Sequence, residues 1–220
     1  MFILRIAFIL SLFIQLAVSA NESTDKQTIQ LSISSNQQEE VKRIHDFFIE
    51  DLGKNPQDYQ FIIQESDVLN AFATLGKKVT LTTGLIKKLK NESALAFVIA
   101  HEIGHIEEKH VHKGIARNII GGLLKLAFFK EQSTASAIYD GVNYMHGKHY
   151  SRSKEKRADL FAVKLINKHY CKAPGKLEFF EEISNQTKQS KASEYFSTHP
   201  LPQSRIAYLH EIITDAGCVL

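Results

Sequence analysis

The sequence predicts an α+β domain, mostly helical, with a small β-sheet. Three observations carry this. Apolar residues recur at threes and fours in several stretches, most clearly Val41, Ile44, Phe47, Phe48 and Leu52. Lys78-Val79-Thr80-Leu81-Thr82 instead alternates and is β-branched, as a strand requires. The run Ser93 to Ala100 is nearly all apolar, lacks Gly and Pro, and continues into His101-Glu102-Ile103-Gly104-His105, which suits a buried helix. The 220 residues suffice for one compact domain. With 27 basic and 24 acidic residues the charge is almost even, so no nucleic-acid partner is expected.

The first twenty residues stand apart. Arg5 is the only charged side chain before a run from Ile6 to Leu16 that is apolar except for Ser11 and Gln15. Val18-Ser19-Ala20 then puts small residues where a signal peptidase reads. Residues 1–20 are expected to be a secretory signal cleaved after Ala20. An uncleaved anchor is the alternative, though the run is short for a span of about 20 residues. Residues 21–35 are rich in Ser, Thr and Gln and read as a flexible start, with the folded domain over 36–220.

From Gln37 the pattern is helical until Gly53 stops it. Asn55-Pro56 begins a turn, and Tyr59 to Ile63 reads as a strand. Gly76 marks a second turn before the Lys78–Thr82 strand. At a sheet edge, backbone groups of Val79, Thr80 and Leu81 would pair with an extended peptide; an ordinary hairpin strand is the alternative. Gly84 to Lys90 is a short amphipathic helix. The next helix runs from Asn91, a plausible N-cap, to about His110. Ile115 to Phe129 is apolar but interrupted by charge and glycine. It reads as a core helix or groove wall, with a peripheral membrane contact as the alternative. Glu131 to Met145 is expected to be helical and Gly147 to Ser153 a mobile loop. Leu177 to Thr187 and Gln203 to Ile213 are further helices, joined through a rigid loop at Ser197-Thr198-His199-Pro200-Leu201-Pro202. Arg205 falls in a first helical turn, on the wrong side for the helix dipole.

Two stretches carry chemistry. His101 and His105 are one helical turn apart, so they project from one face and can grip one metal ion. Glu102 lies beside them, placed to take a proton from a metal-activated water as general base. Two incidental histidines on a core helix are the bland alternative. The second stretch is Ser151 to Ala162, where Glu155 and Asp159 share a face with Ala158 and Ala162. The small residues allow another helix to approach closely. Glu155 suits the third ligand of a site that leaves a fourth position open. Asp159 suits the free ring nitrogen of a liganding histidine. A solvated charged turn is the alternative, since Lys154, Lys156 and Arg157 surround Glu155. His110 and His112 read as surface or supporting residues. Cys171 and Cys218 are the only cysteines, and in an oxidising compartment they are expected to pair. Such a bridge closes a loop of roughly 50 residues, worth about 4 kcal/mol by chain entropy. Two buried thiols are the alternative.

The ordered set Asn70-Ala71-Phe72, Thr83-Gly84-Leu85, Ala100-His101-Glu102-Ile103-Gly104-His105 with His110, Glu155 with Asp159, and Ser197-Thr198-His199-Pro200 with Arg205 resembles a known family. It is similar to the gluzincin metallopeptidases of the CAAX prenyl protease and HtpX type, nearest their small periplasmic, BepA- and LoiP-like members. The resemblance covers about Val41 to Ile213. It implies a zincin-like fold and one Zn2+ per chain, bound by His101, His105 and Glu155. It implies Glu102 as general base, Asp159 in support, and His199 and Arg205 near the metal, steadying the oxyanion. His199 plugging the open position is the other reading of that residue. Asn70 joins Val79, Thr80 and Leu81 as the candidate substrate-binding set.

The expected function is therefore a zinc metalloendopeptidase acting on polypeptides of the cell envelope, damaged or misfolded ones among them. Its expected place is the periplasm, soluble or peripherally membrane-associated. Two other classes stay open: a latched, weakly catalytic zinc-binding or chaperone-like protein, and an anchored structural protein that binds no metal. Oligomeric state is not legible.

Overall fold

The computed structural model describes residues 31–111, 150–185, 199 and 203–220. The expected signal segment, the helices expected over 115–129 and 131–145, His112 and most of the loop around His199 lie outside the described residues.

Helix α1 (Ser35–Asp51) begins at a capping box: the Ser34 hydroxyl accepts from the Gln37 backbone, and the Gln37 side chain accepts from the Ser34 backbone. Ile33 is already buried, so packing starts slightly before residue 36. Val41, Ile44, His45, Phe48 and Ile49 form the buried face. Phe47, expected on that face, is 39 % exposed and sits edge-on to His169. A 100° step per residue carries it past the edge of the stripe.

The sheet has three strands, β1 (Gln60–Gln64), β2 (Ala71–Thr74) and β3 (Lys78–Thr82), in the order β1-β3-β2. β3 pairs parallel with β1 and antiparallel with β2. The β2–β3 turn has positive φ at Gly76 and Lys77, whose twist suits a tight hairpin. This topology corrects one expectation. β3 is central, its backbone engaged on both sides, so Val79, Thr80 and Leu81 offer no free edge. All three are buried, as is Asn70, whose carbonyl accepts from the Thr82 backbone. A strand's place in a sheet depends on non-local pairing that its own pattern does not encode.

Helix α2 (Thr83–Lys88) leads to α3 (Glu92–Glu107), which is buried continuously from Ser93 to His105. Asn91 does occupy the N-cap position, but its side chain donates to Glu178 instead of capping. α3 stops three residues before His110: Lys109 has φ 56°, a left-handed turn that reverses the chain. Helix α4 (Arg152–His169) lies against α3. Their approach is close at Gly104, where a Cβ would come 3.1 Å from the Ala158 carbonyl oxygen. Helices α5 (Glu178–Asn185) and α6 (Gln203–Asp215) complete the described chain. Phe180 of α5 meets Phe97 of α3 edge to face, with ring centroids 5.4 Å apart.

Cys171 and Cys218 form a disulfide, tying the chain after α4 to the chain after α6. Lys176 is fully buried beside it and donates to the carbonyls of Cys171, Ala173 and Val219. Burial lowers its ammonium's pKa, and these carbonyls stand in for lost water. No described helix is long and apolar enough to cross a membrane.

Candidate metal centre

The two α3 histidines face each other. Their Nε2 atoms are 3.0 Å apart, and both rings are buried. Glu155 of α4 closes the group: Oε2 is 3.6 Å from His101 Nε2 and Oε1 is 3.4 Å from His105 Nε2. His199 joins from the other side, with Nδ1 3.2 Å and 3.3 Å from the two Glu155 oxygens. One donor atom from each of these four residues lies within 4.8 Å of the others. Tetrahedral ligands at about 2.0–2.1 Å from one ion stand about 3.3–3.4 Å apart. Two histidine nitrogens and a carboxylate at these separations, out of water, fit a divalent metal.

Burial would raise the Glu155 carboxyl, but His199, His101 and His105 together hold it well below its usual range. Glu102 is fully buried, and burial raises its pKa. Neither of its oxygens accepts a hydrogen bond among the described residues. Its Oε1 is 3.6 Å from His199 Nε2.

Behind His101 stands a saturated carboxylate. Asp159 Oδ1 is 3.0 Å from His101 Nδ1. Arg205 grips Asp159 twice, Nε to Oδ2 at 2.7 Å and Nη2 to Oδ1 at 2.6 Å. Its Nη1 lies 2.7 Å from Glu155 Oε2. Tyr208, one turn further along α6, also donates to Asp159 Oδ2. Burial opposes ionisation of Asp159, but Arg205 and His101 bring its pKa down to about 2. Burial likewise lowers His101, yet the two carboxylates raise it to about 9. Arg205 therefore sits in its helix's first turn for a tertiary reason, as a clamp on two carboxylates. That engagement differs from the expected oxyanion contact.

Behind His105 stands a different group. His110, fully buried, places Nδ1 3.1 Å from His105 Nδ1. Arg157 Nη2 is 2.9 Å from His110 Nε2, and Lys154 donates to the His110 carbonyl. Burial drives His105 well below its usual pKa. Tyr150 stacks on His105, centroids 3.9 Å apart, and burial raises its phenol's pKa.

The structure thus gathers His101, Glu102, His105, Glu155, Asp159, His199 and Arg205, all anticipated from sequence. Tyr208 and Tyr150 were not anticipated, nor was a supporting role for Arg157. Tyr208 had one available signal, its three-residue spacing from Arg205; Arg157 was hidden in a charge run that reads as solvent-facing.

The model of peptidase family M48 matches residues 35–213. A putative beta-barrel assembly-enhancing protease of Vibrio cholerae is 32 % identical over 158 residues, covering 66 % of this chain and 32 % of that protein. The beta-barrel assembly-enhancing protease of Escherichia coli O157:H7 is 29 % identical over 164 residues, 68 % of this chain and 33 % of that protein. The mitochondrial metalloendopeptidase OMA1 of Arabidopsis thaliana is 26 % identical over 151 residues, 67 % and 30 % respectively. The matches span about a third of the length of these relatives. With its buried His-Glu cluster inside the matched region, the chain belongs to peptidase family M48.

Proposed function

We propose that the chain is a zinc-dependent endopeptidase of the cell envelope that hydrolyses polypeptides, damaged or misfolded ones among them. The single observation that carries this is the buried convergence of His101, His105 and Glu155 beside Glu102, whose oxygens accept no hydrogen bond among the described residues. His101, His105 and Glu155 would hold the ion, a donor set that suits zinc. Zinc there supplies Lewis acidity toward a peptide carbonyl and a water molecule. Glu102 accepts the proton from that water and returns it to the departing amine. Asp159 accepts from His101 Nδ1–H and fixes the ring; Arg205 keeps both carboxylates in place. His199, beside Glu102, is placed to donate to developing negative charge.

For substrate, the strand-pairing role moves from β3 to β2. Among the described strands β2 pairs only with β3, and it packs on α3. Asn70, at its start, is buried with Oδ1 unbonded among the described residues, an acceptor suited to a peptide N–H. The envelope setting is supported by relatives named for β-barrel assembly and by the apolar N-terminal run. A periplasmic protein, soluble or peripherally bound, fits both.

A second reading has its own observation: His199 is one of the four clustered donors, so it can close the site as a fourth ligand. Casein digestion separates the readings. The active enzyme cleaves casein, and Glu102→Gln keeps its metal while cleavage falls by at least about 100-fold, the lower part of the range for a lost general base. A chain that holds metal yet leaves casein intact until His199→Ala is introduced is the latched form.

A further inference from the structure

We infer that Arg157 is a gate on metal loading, acting through His110 on His105. The inference rests on the metal site proposed above. It starts from what each group can do with a proton. A guanidinium only donates. With Arg157 Nη2 2.9 Å away, His110 Nε2 must be the acceptor. A neutral His110 then carries its proton on Nδ1, which faces His105 Nδ1 at 3.1 Å. His105 Nδ1 accepts, and the His105 proton sits on Nε2, facing His101 Nε2 at 3.0 Å, with Glu155 Oε1 at 3.4 Å. The hydrogen bonds run inward: Arg157 to His110 to His105 to His101.

A metal held by His105 Nε2 needs the opposite direction. Nε2 must be free of its proton, so His105 carries it on Nδ1 and donates to His110 Nδ1. His110 then carries its own proton on Nε2, against a group that also only donates. Each ring keeps one proton and stays neutral; only its side changes. Two donors 2.9 Å apart repel, so Arg157 must leave as the chain reverses. It is free to do so, because its side chain is 45 % exposed and its Nε is 3.6 Å from the Glu108 carboxylate. That carboxylate can hold the departing guanidinium. His110 is thus a positioning residue for His105, and Arg157 in contact with it favours the metal-free arrangement. The left-handed turn at Lys109 makes this possible by folding His110 back over the end of α3.

The test is Zn2+ affinity, measured by competition with a chromophoric chelator on the purified chain. Changes of this kind around a metal ligand shift affinity about 10- to 100-fold. Arg157→Ala should bind Zn2+ tighter, on the order of 10-fold. His110→Ala, which removes the acceptor for His105 Nδ1–H, should bind it at least about 10-fold weaker. Arg157→Ala should have no effect in the His110→Ala background, and His110→Asn, whose amide oxygen accepts, should recover affinity. Thermal unfolding of each metal-free variant checks its fold. Unchanged or weaker binding by a folded Arg157→Ala overturns the gate, as does an effect that persists without His110. A wild-type chain that binds no Zn2+ overturns the proposed function itself, a separate and earlier failure.

Discussion

His101 and His105 lie one turn apart on the same helix and are equally buried, yet they are supported in opposite ways. His101 leans on an anion: Asp159, itself filled by Arg205 and Tyr208 and sealed from water. His105 leans on a second imidazole whose far side meets a half-exposed cation. Against burial, Asp159 and Glu155 push His101 up to about 9, while burial drives His105 well below its usual value. The difference teaches that two histidines of one motif need not be equivalent. One side of the centre is a buried, charge-saturated wall. The other faces a half-exposed rim.

The largest break of this comparison is Asp159→Ala. It strips a buried partner from both Arg205 and His101, and losing one member of a buried charge pair costs about 3–5 kcal/mol. Urea denaturation of the metal-free protein should show that loss. The half-exposed Arg157→Ala should cost about 1 kcal/mol or less in the same assay. Equal losses would erase the distinction between wall and rim.

Next in size is Cys218→Ser. The bridge fastens the chain after α6, the helix that carries Arg205 and Tyr208, to the chain after α4, which carries Glu155 and Asp159. Its loss should lower stability by about 2–4 kcal/mol, read from denaturation under oxidising conditions. Smaller again is Tyr208→Phe. It deletes one hydrogen bond to a charged group, worth about 1.5–3 kcal/mol. The same variant should weaken metal binding on the His101 side, while an unchanged affinity would reduce Tyr208 to a packing residue.

Much of this centre was legible because its spacing is local. Two histidines four apart, or Glu155 and Asp159 four apart, share a helical face wherever the helix goes. The small residues Ala158 and Ala162 announced a close helix contact, and Gly104 supplied its other half. Strand content was readable from alternation at Lys78–Thr82. Strand order was not, and the strand read as a candidate peptide edge is the central one. The supporting contacts were only partly legible, for a related reason. His110 reaches His105 only through a left-handed turn at Lys109, a residue type that rarely adopts one. Arg157 matters only once α4 is packed against α3, and Tyr208 only once α6 is packed against α4. Arg205 was visible as an anomaly, a cation at a helix start, and its explanation lay 46 residues earlier at Asp159.

The measurement that tests the central claim most directly is the zinc content of the purified, chelator-free chain, beside His105→Ala and Glu155→Ala. The account predicts about one zinc per wild-type chain, as for a three-ligand catalytic site, and little or none in either variant. A wild-type chain without zinc, or variants that keep it in full, would contradict it.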